Sequence, residues 1–172
     1  MPASKSPLTA RPITACFIQP LCRFEGKERT LSTTRIERGS FGRSAVIRLR
    51  PNEDLIEGVE QACLESGISH AVVRSAVGSL VDAVLAYGVG PKASQGDENT
   101  IVEKGPGVEI LTLTGELAPG EDGRPKADLR GTISTPDARV LGGRFLPGRN
   151  SICITLELVI QEWLPETATL QP

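Results

Sequence analysis

An α+β body behind a basic N-terminal arm is the fold class this chain predicts, on three observations. One window, Asn52 to Gly67, has the capping and apolar spacing of an amphipathic helix. After it come several β-rich segments separated by glycine and proline. The segment Ser151 to Ile160 alternates strictly, with Ile152, Ile154, Leu156, Leu158 and Ile160 predicted on one face.

Taken in order, Met1 to Pro12 is rich in Pro, Ser and Thr and reads as a mobile start. Ile13 to Ile18 suits a short edge strand between Pro12 and Pro20. Leu31 to Gly42 shows no usable periodicity. Ala45 to Leu49 alternates and reads as the first strand of the body. Asn52 is the expected N-cap, Glu53 and Asp54 complement the positive helix end, and Gly67 supplies a left-handed stop. Leu55, Val59, Ala62 and Cys63 form the stripe expected to face a sheet. Ile68 to Val77 and Leu80 to Tyr87 read as two β segments broken at Gly78 and Ser79. Gly88 to Gly107 reads as a loop with room for one short strand about Ile101 and Val102. Val108 to Leu117 is a strand, PGEDGRP (Pro119 to Pro125) a turn, and Trp163 with the tail after Pro165 lies beyond the last regular pattern.

With 172 residues and 39% hydrophobic content, the chain suits one domain. The predicted layout is a basic arm over 1–43, the α+β domain over 44–163 and a tail over 164–172. No apolar run approaches the roughly 20 residues of a membrane helix, and the start has no signal-peptide character, so a cytoplasmic location and no membrane partner are expected. Cys63 and Cys153 fall on apolar faces, and Cys16 and Cys22 lack a second pair at zinc-ribbon spacing, so reduced thiols are expected. The net charge of −2 hides an asymmetry. Residues 1–50 carry ten Lys or Arg against three acids, and the remainder nine against eighteen. Such an arm suits weak nucleic-acid contact, with Arg29, Arg35, Arg38 and Arg43 as the candidates, a solvated and partly disordered segment, or packing on the acidic body of its own or a neighbouring subunit.

The segment Lys126 to Ser134 bears most on function. As a strand it buries Ala127, Leu129, Gly131 and Ile133 and displays Asp128, Arg130, Thr132 and Ser134 together. If Arg139 to Phe145 returns beside it, Arg144 reaches the same face, and Gly142 and Gly143 permit close approach or a bulge. Two readings stand: a solvated face with an ordinary Asp and Arg pair, or a small anion site.

Several segments in order resemble the PPC domain, the plant and prokaryote conserved family. They are RPNEDLIEGVEQAC (Arg50 to Cys63), AVGSLVDAVL (Ala76 to Leu85), Glu-x-Leu-x-Leu-x-Gly (Glu109 to Gly115), GGRFLPG (Gly142 to Gly148) and TLELVI (Thr155 to Ile160). The resemblance runs from Ala45 to Glu162. It implies a mainly antiparallel sheet with a packed helix, a homotrimer, a DNA-binding label, and a fold similar to acetolactate decarboxylase, which uses three histidines for zinc. Many prokaryotic members carry His-x-His and then Gly-Gly-His; the matching positions here are Asp128, Arg130 and Arg144.

Two arginines stay protonated and repel a cation, so no metal and no cofactor are expected. The one histidine, His70, reads as structural on an apolar strand. No serine sits in a nucleophile elbow, and GRP at Gly123 to Pro125 lies in an acidic turn unlike an AT-hook. The sequence therefore favours a non-catalytic, oligomeric binding or regulatory protein. The alternative is a small-anion binder or metal-independent enzyme using Asp128, Arg130 and Arg144, with Gly142 and Gly143 shaping the site.

Overall fold

The computed structural model describes residues 37–87 and 99–166. The expectations for Met1 to Pro12, the Ile13 to Ile18 strand, Cys16, Cys22, Arg29 and Arg35 lie outside them. Six strands and one helix follow in the order β1 (Gly39–Leu49), α1 (Leu55–Glu65), β2 (Ala71–Ala86), β3 (Thr100–Pro119), β4 (Pro125–Ser134), β5 (Val140–Phe145) and β6 (Ile152–Pro165). All pairings are antiparallel, in the sheet order β1-β6-β2-β3-β4-β5.

The length of β2 shapes the molecule. Its first part pairs β6, while its last two residues meet β5 through Leu85↔Phe145 and Ala86↔Arg144. β2, β3, β4 and β5 thereby curl into a closed four-stranded turn, with β1 as the edge of the sheet among the described residues. Glycine makes the closure feasible. Gly131 and Gly143 are direct partners, and a Cβ on Gly131 would lie 2.0 Å from the Thr112 carbonyl oxygen, one on Gly143 2.6 Å from that of Ala86. Close approach, rather than a bulge, is the role of Gly143. The inward ring of Phe145 fills the space above Gly131.

Helix α1 covers the inner face and buries Leu55, Ile56, Val59 and Cys63. Ile56 belongs to the buried stripe, where Ala62 was expected. The cap also differs from expectation: Asp54, not Asn52, accepts from the N–H groups of Ile56 and Glu57 at 2.9 and 3.1 Å. Asn52 instead occupies a left-handed turn at φ 70°. The C-terminal expectation holds, with Gly67 at φ 64°. Asn150 is fully buried and bridges β2 to the β5–β6 connection, accepting from Val84 N–H and donating to the Val84 and Leu146 carbonyls.

Several strand limits depart from the sequence reading. β1 begins at Gly39 because Ser40 and Phe41 pair Leu164 and Trp163, which also carries β6 through Trp163. β2 is continuous across Gly78 and Ser79, since pairing with β6 spans the break. Residues 100–107 belong to β3, with Thr100 to Lys104 paired to Ala86 to Asp82, where a loop with one short strand was expected. Ile154 is 71% exposed despite its alternating position. Only Ser79 separates Gly78 from Leu80 on β2, whereas three residues separate their partners Leu156 and Ile152 on β6, so the surplus residues bulge outward. His70 precedes β2, half-buried, and its carbonyl accepts from Trp163 N–H. No helix among the described residues is long and apolar enough to cross a membrane.

Candidate ligand-binding site

The outer face of the β3–β4–β5 region carries the residues singled out by the sequence. The hairpin turn sets the register: Pro119 pairs Pro125, which places Glu116 opposite Asp128 and Thr114 opposite Arg130. β5 returns with Arg144 directly opposite Arg130. Asp128, Arg130 and Arg144 therefore share one face. Arg130 donates from Nη2 to Asp128 Oδ2 at 3.1 Å, and that carboxylate raises the guanidinium's already high pKa. Arg144 is half-buried and has no ion pair or side-chain hydrogen bond among the described residues. Gly142 lies outward opposite Thr132, where any Cβ would touch the Thr132 methyl at 3.3 Å.

Asp128 and Arg130 line a groove of about 490 Å³ together with Arg74, Glu116, Thr114 and Phe41, a volume in the range of small-ligand sites. The groove is open to solvent, and Arg144 stands one strand beyond its lining. At its far end Phe41 meets Trp163 edge-on, with ring centroids 5.4 Å apart, and the Arg74 guanidinium lies 5.5 Å from the Phe41 ring.

Two of these residues escaped the sequence reading. Glu116 was legible in principle, because closing a hairpin over PGEDGRP fixes its partner as Asp128. Arg74 carried no such signal, since only the pairing of β2 with β3 brings it beside Thr114 and Glu116.

The basic residues ahead of the body divide. Arg38 is exposed, and its carbonyl accepts from Glu166 N–H. Arg43 is tied into the fold: its Nε and Nη2 donate to Glu162 at 2.9 Å each, and its guanidinium also reaches the Ser66 and Gly67 carbonyls at 3.2 Å. Those bonds hold the Glu162 carboxyl down at about 2.

A family model describing the Plants and Prokaryotes Conserved (PCC) domain matches residues 36–164. The chain belongs to this family. The solved PPC protein of Pyrococcus horikoshii superposes with a TM-score of 0.64 at 22% identity, covering 76% of this chain and 85% of that one. A metal-containing protein from Archaeoglobus fulgidus gives 0.61 at 22%, covering 78% and 89%. A candidate DNA-binding protein from Bacteroides thetaiotaomicron gives 0.56 at 18%, covering 72% and 82%. These likenesses establish the antiparallel α+β PPC fold. The bifunctional protein GlmU of Synechococcus is 32% identical over 126 residues, 73% of this chain but 18% of that protein, so the PPC chain spans less than a fifth of that relative.

The three-histidine zinc site that the resemblance implies does not fit these residues. A zinc site takes neutral imidazole, thiolate or carboxylate donors, and here two of the three matching positions are guanidinium groups. Among the described residues, no group of three or more His, Cys, Asp or Glu side chains is placed to hold an ion.

Proposed function

We propose that this PPC chain is a non-catalytic, oligomeric binding protein that holds a small carboxylate or phosphate group between Arg130 and Arg144. The observation that carries this reading is their direct opposition across β4 and β5. Like charges opposite one another on a sheet repel, whereas an oxyanion between two guanidinium groups accepts charge-assisted bonds from both. Asp128 positions one of them. Titration with inorganic phosphate and sulfate tests the idea. Arg130→Met and Arg144→Met are each expected to weaken binding by about tenfold or more, corresponding to about 1.4 kcal/mol. Unchanged affinity in both variants removes the site.

Assembly as a homotrimer is part of the proposal. Val46 and Val77 are each 68% exposed on the outer face, and Val46 is the direct partner of half-buried Val159. Such neighbouring apolar side chains suit burial against another subunit. Light scattering is expected to return three times the chain mass, and Val46→Asp to lower it.

A second reading, DNA binding, is favoured by the charge of the first fifty residues and by the candidate DNA-binding relative. We assign it to Arg29, Arg35 and Arg38, because Glu162 neutralises Arg43. Binding is expected to be independent of sequence, with each phosphate contact adding about −0.9 to the slope of log affinity against log salt. Removing residues 1–38 leaves β1 whole and is expected to abolish it; retained affinity would overturn the assignment.

A further inference from the structure

The arginine pair has a counterpart of opposite sign beside it. Glu116 on β3 and Asp128 on β4 are direct cross-strand partners on the same outward face. Glu116 has no ion pair or side-chain hydrogen bond among the described residues, and the salt bridge of Asp128 is with Arg130 on its own strand. Each pair, taken alone, is unfavourable for a sheet, since like charges directly opposite destabilise and unlike charges stabilise. Exchanging Asp128 and Arg130 along β4 would set Arg opposite Glu116 while lifting the repulsion at Arg144. The observed order instead divides this face into a positive and a negative half.

Resting on the anion reading above, we propose that the site binds a zwitterion: its carboxylate or phosphate lies between Arg130 and Arg144, and its ammonium lies between Glu116 and Asp128. Two residues along a strand separate the halves, so the ligand's charges are about 7 Å apart, too far for an α-amino acid to bridge through its α-groups. An ω-amino acid with a short methylene chain has the required reach. The groove lined by Glu116, Asp128 and Arg130 leaves room for that chain, with Thr114 and Val72 along the same wall. An amine entering between two carboxylates relieves their repulsion and gains charge-assisted hydrogen bonds from both.

Calorimetric titration of the full chain with 5-aminopentanoate, with pentanoate and with inorganic phosphate tests the inference. The expected result is that 5-aminopentanoate binds about tenfold or more tightly than pentanoate, and that Glu116→Gln reduces this preference below about threefold without weakening phosphate binding. Glu116 is exposed on the sheet surface, and thermal unfolding of the variant checks that the fold is retained. Equal binding of the two acids overturns the zwitterion while sparing the anion site. A preference that persists undiminished in Glu116→Gln also overturns it. Failure of all three ligands to bind removes the anion site and the zwitterion together.

Discussion

Arg43 and Glu162, 119 positions apart, are joined by two side-chain hydrogen bonds of 2.9 Å across the β1–β6 ladder. The Arg43 backbone N–H adds a third bond to the same carboxylate at 3.2 Å. Hydrogen bonding outweighs the Coulomb attraction in holding the Glu162 pKa near 2, against 4.5 ordinarily. A carboxylate depressed in the folded state contributes stability that is complete above the unfolded value and lost as pH falls through the folded one. Stability should therefore fall between about pH 4.5 and 2. Arg43→Met should flatten the dependence in that window and lower stability at neutral pH, as measured by denaturant unfolding at a series of pH values. Equal slopes in the two proteins would show that the pair carries no linkage.

Protein purified without chelator should carry far less than one zinc per chain. Arg130 and Arg144 hold two of the three positions that the family resemblance matches to histidine, and a guanidinium remains charged at any pH the protein survives. Elemental analysis decides the point; stoichiometric zinc would require a ligand set elsewhere.

Gly131→Ala should destabilise by about 1–3 kcal/mol through overpacking. The added methyl meets the backbone oxygen of Thr112 at 2.0 Å and the Phe145 ring at 3.2 Å, so β3 and β4 must part. Gly67→Ala provides the contrast, because open space surrounds its Cβ and only the left-handed φ of 64° opposes the change. Its cost should be about 1 kcal/mol. Denaturant midpoints for the two variants distinguish steric overlap from backbone strain.

Cys63 should resist alkylation. Burial beneath α1 pushes its thiol up to about 11, so little thiolate exists near pH 8. Cys153 is half-buried and lies outside the core cluster. Peptide-resolved mass spectrometry after brief iodoacetamide treatment should show Cys153 modified at least about tenfold faster. Comparable rates would mean that α1 opens readily.

Local chemistry made part of this molecule readable. Leu55, Val59 and Cys63 announced a helix face, Gly67 its end, and the alternation of Ala127 to Ser134 placed Asp128 and Arg130 side by side. Each is a statement about neighbours within a few residues, where the period of a helix or strand governs. The extent of β1, β2 and β3 was not readable in that way. Phe41 and residues 100–107 are strand because Trp163 and the far end of β2 supply their hydrogen-bond partners, and no local pattern names a partner so distant.

The same division runs through the site. By itself the sequence determined that Asp128 and Arg130 project from one strand and that Pro119 to Pro125 is a turn. Only the tertiary structure decided that Arg144 stands opposite Arg130, because that register follows from β5 closing between β4 and the end of β2 over the Gly131–Gly143 contact. It also decided that Ile154 points outward and that Arg74 reaches the groove. The first follows from irregular β2–β6 pairing, where two surplus residues redirect a side chain that strict alternation would have placed inward; the second follows from β2 lying beside β3 in the sheet order.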